Sequence, residues 1–106
     1  MPTITSDPSV QTVITTFEVT PGTCDELIEV LREACNSYVS KQPGFIGAAI
    51  HVNDARTRIA NYTQWESREA FKEMMRKDEM RPWLRQFSEL CKTFEPVMYD
   101  VVSTSD

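Results

Sequence analysis

Residues Asn61-Tyr62-Thr63-Gln64-Trp65-Glu66-Ser67 join a strand-like pattern to the predicted start of a helix. Successive side chains of a strand point to opposite faces, so Asn61, Thr63 and Trp65 share one face with Ile59. That face combines apolar surface with an amide and an indole, which can hydrogen-bond a flat ligand that carries oxygen. It predicts a pocket wall. The alternative is that Trp65 anchors the core and Asn61 is a satisfied buried amide.

The length, charge and first residues of the chain exclude several classes of protein. A chain of 106 residues is typical of one domain. Its net charge of −5, without a basic stripe, argues against a nucleic-acid partner. The first nine residues lack the basic and apolar segments of a signal peptide, and no apolar run is long enough to span a membrane. We therefore expect a cytoplasmic protein with neither a nucleic-acid nor a membrane partner.

The cysteines and the single histidine indicate neither a disulfide framework nor a metal site. Cys24, Cys35 and Cys91 are an odd number without CxxC spacing. Cys35 and Cys91 fall in apolar helix stripes, which predicts burial. Cys24, near a helix start, is the one candidate for a reactive thiol, although an unreactive thiol is favoured there because no histidine or cysteine lies nearby in the sequence. His51 alone cannot form a metal cluster, and its use as a general base is a minor alternative. We expect no metal.

Apolar periodicity divides the chain into four strands and two helical regions. Valine, threonine and isoleucine dominate residues 10–19, a first strand that a turn at Pro21-Gly22 is expected to close. Thr23 is the predicted N-cap of an amphipathic helix that ends before Pro43-Gly44. Further strands are predicted at 45–52, 57–65 and 94–102, and a helix capped by Ser67, interrupted at 76–79 and resumed near Pro82 precedes the last strand.

This element order predicts an α+β fold with one antiparallel sheet. Right-handed crossovers place both helical connections on one side of the sheet and leave the other side bare. The second strand is apolar on both faces, with Phe45 and Ala49 assigned to one face. The opposite face is assigned the other apolar residues of the strand, namely Ile46, Ala48, Ile50 and Val52. A second copy of the chain would cover the bare face, so we expect a homodimer in which Tyr62 and Gln64 point toward the partner.

The run at 61–67 resembles the antibiotic biosynthesis monooxygenase family, as do Gln42-Pro43-Gly44-Phe45 and Arg68-Glu69-Ala70-Phe71. The resemblance spans about residues 10–102. It implies a ferredoxin-like four-stranded sheet with helices on one face, two copies of which form a dimeric α+β barrel. We therefore expect one domain at 10–102, a flexible leader at 1–9 and a tail at 103–106.

The resemblance also implies an activity. Members of the family that oxidise aromatic polyketides use molecular oxygen without metal, haem or flavin, and convert a phenolic, anthrone-type ring to a quinone. It implies a pocket between sheet and helices, with Asn61, Trp65 and Arg85 as catalytic residues. Ile59, Thr63 and Phe71 are the expected substrate-binding residues, although those members can carry a tyrosine where this chain has Phe71. The expected partners are a small aromatic substrate and O2, with no cofactor.

The expected roles follow from the need for an electron-rich substrate anion. A cation lowers the pKa of a phenol, ordinarily about 10, by roughly 1 to 3 units, and an amide donor contributes less. Arg85 and Asn61 fit these roles, and Trp65 can donate from its indole nitrogen. Arg85 nevertheless falls nearly opposite the apolar stripe of its helix, so a solvent-exposed Arg85 is the alternative. Arg81 is then the nearby candidate for the arginine that faces the pocket.

The sequence is compatible with two other functions. A non-catalytic dimer that binds small molecules or serves a stress response would bind a ligand without turnover. Haem degradation is less favoured, because haem-degrading relatives of this fold use an axial histidine on the second helical segment, and residues 67–91 contain none.

Overall fold

One four-stranded antiparallel sheet forms the framework of the protein in the computed structural model, which describes residues 3–7 and 9–105. The predicted α+β class is confirmed. Parts of the predicted leader and tail, residues 1, 2, 8 and 106, lie outside the described residues. In chain order the elements are β1 Gln11–Glu18, α1 Pro21–Ser37, β2 Phe45–Val52, β3 Arg58–Trp65, α2 Arg68–Arg76, α3 Arg81–Leu90 and β4 Thr93–Tyr99, with short 3-10 turns at Val39–Lys41 and Asp78–Met80.

The strands lie in the order β2-β3-β1-β4, so the strand that contains Asn61 and Trp65 is in the middle of the sheet. The predicted hairpin between β2 and β3 is confirmed. Its turn is held by Asn53, whose side-chain oxygen accepts hydrogen bonds from the backbone N–H groups of Thr57 and Arg58, each at 2.9 Å. This is the local bonding for which asparagine is favoured in turns.

Helix α1 begins earlier than predicted. Pro21 and Gly22, expected to form a turn, are helical, and Thr20 rather than Thr23 is at the N-cap. The first helical bond runs from the Cys24 N–H to the Thr20 carbonyl at 3.0 Å. Proline fits the first helical turn because its missing N–H would have no partner inside the helix. The chain therefore passes from β1 into α1 without a separate turn.

A β-bulge at the start of β2 changes the predicted assignment of side chains to its faces. The register shifts between Phe45 and Gly47, so Phe45 opposes Trp65 while Ala48 opposes Thr63. Opposed residues point to the same face, so Phe45 and Ala48 both lie on the helix side. Ala49 lies on the outer face, opposite Tyr62. The prediction that Phe45 and Ala49 share a face was wrong, because the extra residue of a bulge leaves no mark in the apolar pattern.

The core lies between the sheet and the helices. Its largest fully buried side chains include Trp65, Phe17, Leu27 and Ile59. None of the helices in the described part of the chain is long and apolar enough to cross a membrane.

The outer face of the sheet carries a row of half-buried side chains, formed by Ala49, Tyr62, Ile14 and Val97 across the four strands. Gln64 also belongs to this face but is only 2% exposed, since its side-chain nitrogen donates to the Thr3 carbonyl. The first described residues of the chain therefore already contact the outer face.

Candidate active site

A cavity of about 50 Å³ lies between the helix side of the sheet and the three helices. All four strands and all three helices contribute to its wall, which contains no charged side chain among the described residues. The lining comprises Thr15, Phe17, Leu31, Ala34, Cys35, Val39, Ala48, Asn61, Thr63, Trp65, Phe71, Met74, Met75, Met80, Leu84, Phe87, Phe94 and Pro96.

Two aromatic clusters flank the cavity. At one end Trp65 packs edge-on against Phe45 and Phe71, with ring centroids 5.5 and 5.8 Å apart. At the other end Phe17 stacks on Phe94 at 5.4 Å and meets Phe87 edge-on at 5.8 Å. Such contacts fix ring orientations as well as burying apolar area. The two ends of the cavity are therefore walled by aromatic rings whose orientations are fixed by packing.

Asn61 places an amide in the middle of this apolar wall. It lies at the centre of β3, between Ile50 on β2 and Thr15 on β1, and it is half-buried. Its side chain lines the cavity and makes no hydrogen bond to any other described residue. Every fully buried side-chain nitrogen or oxygen in the described part of the chain has a hydrogen-bond partner, so the unpartnered Asn61 amide is not fully buried. The amide is thus accessible from the cavity. The alternative of an amide satisfied by the core does not apply.

Trp65 is completely buried, and its indole N–H is engaged within the protein. The indole nitrogen donates to the Thr63 hydroxyl at 3.0 Å, and that hydroxyl donates to the Val13 carbonyl at 3.3 Å. The expected donation from Trp65 to a substrate is therefore not available in this arrangement. Trp65 is therefore both a core anchor and an apolar wall of the cavity. Its ring lines the cavity, while its indole N–H is already bonded to Thr63.

The three expected substrate-binding residues divide into two groups. Thr63 and Phe71 line the cavity, as expected. Ile59 does not; it is 0% exposed within the core. It lies two residues before Asn61 on β3, opposite Phe17, and is not among the residues that line the cavity. The prediction that Ile59 contacts a substrate is not supported.

Neither candidate arginine reaches the cavity. Arg85 and Arg81 are exposed, and Arg81 pairs with Asp78 at 3.6 Å between Nε and Oδ1. The inward side of α3 is formed by Leu84 and Phe87, and one residue step of about 100° turns Arg85 away from it. The exposed alternative for Arg85 is the one that the structure adopts, and the expected cation beside the substrate is absent from the described lining.

Thr15 and Cys35 line the cavity although the sequence patterns did not single them out as site residues. Thr15 shares a face with Val13 and Phe17, which alternation along β1 could have indicated, but only the strand register reveals that it opposes Asn61. Burial raises the pKa of the Cys35 thiol, so the group is protonated at neutral pH and is a poor nucleophile. Cys24, the candidate reactive thiol, is fully buried in α1.

No group of three or more histidine, cysteine, aspartate or glutamate side chains in the described residues is arranged to hold a metal ion. His51 is exposed and opposes Ala60 on the outer face of the sheet, away from the cavity. It is therefore not placed to act as a base on a ligand in the cavity.

Comparison with known proteins identifies the family. Residues 10–86 match the family model described as antibiotic biosynthesis monooxygenase, which is well over half of the 106 residues. The chain belongs to the antibiotic biosynthesis monooxygenase family. The resemblance found at residues 61–67 is thereby confirmed.

Solved structures superpose closely on this member of the antibiotic biosynthesis monooxygenase family. ActVA-Orf6 of Streptomyces coelicolor, a monooxygenase in complex with nanaomycin D, is 28% identical with a TM-score of 0.78, covering 93% of this chain and 94% of its own. A mutant of SnoaB, a cofactor-independent oxygenase from Streptomyces nogalater, is 20% identical with a TM-score of 0.80, covering 91% and 96%. A conserved protein from Methanosarcina mazei is 14% identical with a TM-score of 0.78, covering 89% and 94%. No curated protein matches the sequence.

The ferredoxin-like fold expected for the antibiotic biosynthesis monooxygenase family is confirmed by these superpositions. At Phe71 this family member has a phenylalanine where the resemblance led us to expect that a tyrosine can occur. Its ring is 8% exposed and contacts Trp65, so it contributes apolar surface where a tyrosine would add a hydroxyl. The hydrogen-bonding capacity of the cavity therefore comes from the sheet rather than from α2.

Proposed function

We propose that this protein is a cofactor-independent monooxygenase that uses O2 to oxidise a small phenolic or anthrone-type aromatic compound to a quinone. Membership of the antibiotic biosynthesis monooxygenase family supports the reaction class. The observation that carries the proposal is the accessible Asn61 amide in the middle of an uncharged, aromatic-lined cavity. A flat apolar substrate would fill such a cavity and present one oxygen to the amide.

The chemistry requires the substrate to lose a proton before it meets oxygen. The anion is electron-rich and supplies the electrons that a cofactor would otherwise provide. One atom of O2 becomes the new carbonyl oxygen of the quinone, and the other leaves as water. Asn61 would donate its amide N–H to the substrate oxygen on which the negative charge develops. The surrounding aromatic walls would strengthen that hydrogen bond by excluding water.

The acidity of the substrate itself is central to this proposal. With Arg85 on the exposed side of α3, the described lining holds no cation to lower the pKa of a bound phenol. An amide donor lowers it less than a charge does. Substrates that ionise readily, such as anthrones with an acidic methylene group, therefore fit this site better than simple phenols.

Substrate binding would require the cavity to widen. Its volume of about 50 Å³ is small beside the roughly 300 to 1,000 Å³ of ordinary ligand sites. Met74, Met75 and Met80 line one side, and methionine side chains can rearrange because they are unbranched and flexible. We expect the ligand to displace these side chains rather than the strands.

We also propose that a second copy of the chain covers the outer face of the sheet. The half-buried row of Ala49, Tyr62, Ile14 and Val97 is apolar apart from one hydroxyl, and Ile46 at the bulge is 46% exposed. A contiguous apolar strip of this kind is typical of an interface. Thr3, whose carbonyl accepts a hydrogen bond from Gln64, would lie at the edge of that interface. A cytoplasmic location and the lack of a nucleic-acid partner stay predictions.

A non-catalytic small-molecule-binding dimer is the second candidate. It is favoured by one specific observation, namely that the described cavity lining contains neither a charged side chain nor a free indole donor. Haem degradation is less favoured, because no histidine lies on α2 or α3 and His51 is on the opposite side of the sheet.

Oxygen consumption separates the two candidates. The purified protein, without added cofactor, is supplied with a panel of anthrones and dihydroxynaphthalenes, and the product mass is followed beside oxygen uptake. The monooxygenase proposal predicts uptake above the spontaneous rate together with a quinone that has gained one oxygen atom from O2. Tight binding of a panel compound without any such uptake would instead establish the non-catalytic candidate.

A further inference from the structure

Thr15 is paired with Asn61 across the centre of the sheet. The two residues are directly opposed in the antiparallel register of β1 and β3, and both line the cavity. Directly opposed residues have Cβ atoms about 4.5 to 5.5 Å apart, so their polar groups can reach neighbouring atoms of one small ligand. Thr15 is half-buried, and its hydroxyl makes no side-chain hydrogen bond to another described residue.

The other polar groups of the lining are already occupied or weak. The Thr63 hydroxyl accepts from Trp65 and donates to Val13, which accounts for its hydrogen. The Cys35 thiol is a poor hydrogen-bonding group. The free hydrogen-bonding capacity of the cavity is therefore concentrated at Thr15 and Asn61.

Within the sheet, the surroundings of this pair are apolar except for Thr63, whose hydroxyl is already engaged with Trp65 and Val13. Ile50 and Pro96 complete the same row on β2 and β4. Phe17 and Trp65 lie along the strands on either side, as parts of the two aromatic clusters. Two adjacent polar groups set in such a wall define where a ligand can place its oxygens and where it cannot, because a ligand oxygen elsewhere would be buried without a partner.

We propose that Thr15 is a substrate-orienting residue, and that the Thr15–Asn61 pair selects aromatic ligands with a hydroxyl group beside a carbonyl group on one edge. The amide N–H of Asn61 donates to the carbonyl oxygen, while the Thr15 hydroxyl, which both donates and accepts, pairs with the ligand hydroxyl. The ligand class rests on the proposed function, and the role of Thr15 deepens it. The pair fixes which edge of the ring system faces the sheet.

The test measures binding in the absence of oxygen, so that it does not depend on turnover. Calorimetric titrations compare an anthrone that carries a hydroxyl beside its carbonyl with the same anthrone lacking that hydroxyl. Each ligand is titrated into the wild type, Thr15→Val and a matched control, Thr16→Val, which makes the same change on the exposed opposite face of β1. Valine preserves the shape and the β-propensity of threonine, so each variant is expected to fold.

The proposal predicts that Thr15→Val weakens binding of the hydroxylated anthrone by roughly fivefold to tenfold, the loss of one net hydrogen bond. Binding of the unsubstituted anthrone should be unchanged, and Thr16→Val should bind both ligands as the wild type does. An equal loss for both ligands, no loss for either, or a wild type that binds neither would overturn it. Selective loss in a protein that consumes no oxygen would preserve the role of Thr15 and refute the monooxygenase reaction.

Discussion

A short hydrogen-bonded relay links Trp65 to the sheet through Thr63 and the Val13 carbonyl. It satisfies the buried indole N–H and holds the ring against Phe71. The tryptophan is therefore presented as a fixed wall, and the polar contact with a ligand is left to Asn61. Thr63 lines the cavity, but its hydroxyl holds Trp65 in place rather than contacting a ligand.

Thr63→Val should destabilise the protein by about 1 to 3 kcal/mol, since it leaves a buried indole donor without an acceptor while preserving side-chain shape. The free energy of unfolding from urea titration measures this loss, with Thr16→Val as the control for the same change at an exposed position. Equal stabilities of the two variants would show that the relay does not stabilise the fold.

Asn61 and Arg85 show which features of the site the sequence predicts and which it does not. Strand alternation was sufficient to place Asn61, Thr63 and Trp65 on the cavity side, because the period of a strand leaves only two faces. The destination of the indole hydrogen could not be predicted, since it depends on a side-chain conformation. Arg85 was expected in the site from the family resemblance, whereas its helical position indicated exposure, and the helical position was correct.

At the scale of elements, α2 is held close to the start of β2 by Gly44. This residue has φ of 86°, in the left-handed region, and an added Cβ would lie 2.5 Å from the Ala70 Cβ. The Gly44 carbonyl also accepts from the Glu66 N–H at 2.7 Å, directly before Ser67 caps α2. A glycine is required here both for the backbone angle and for space. This junction positions Phe71 and Met74 over the cavity.

Gly44→Ala is expected to lower the free energy of unfolding by at least about 1 kcal/mol, through backbone strain and the clash with Ala70. Gly22→Ala is the matched control, because its new Cβ would meet the Thr20 hydroxyl at an ordinary 3.8 Å inside α1. That substitution should be neutral or stabilising by up to about 1 kcal/mol. Thermal melts of both variants provide the comparison, and a Gly44→Ala variant as stable as Gly22→Ala would contradict the account of this junction.

The order and type of the elements were predictable because apolar residues recur with a strand period or a helix period. The start of α1 was not, since Pro21-Gly22 has the composition of a turn and only its hydrogen bonds show that it is helical. The bulge in β2 was also hidden, because Phe45 to Val52 is apolar apart from Gly47 and His51 and gives no clear alternation from which to infer a register.

At the scale of the whole molecule, the two faces of the sheet have different roles. The helix side encloses the cavity, and the outer side carries the row that includes Ala49 and Tyr62. Since the cavity lies on the helix side of the sheet, a second copy packed on the outer face would support the sheet from behind. Dimer formation and ligand binding are therefore expected to be separable.

Ala49→Lys tests the proposed homodimer, because it places a charge in the apolar row that the second copy would bury. We expect sedimentation of the wild type as a dimer and of the variant largely as a monomer at the same concentration. Ala55→Lys, in the exposed turn between β2 and β3, is the control and should remain dimeric. A monomeric wild type would contradict the proposed interface directly.

The initial rate of oxygen consumption by Asn61→Ala, with the best anthrone of the panel, shows whether the cavity amide takes part in the reaction. Asn36→Ala, the same change at an exposed position of α1, is the control. The proposed role of Asn61 predicts that loss of the cavity amide lowers the rate by roughly a hundredfold to a thousandfold, the cost of removing one donor from a charge-stabilising site, while Asn36→Ala retains the wild-type rate. Equal rates in all three proteins would contradict it, because turnover would then not depend on the amide in the cavity.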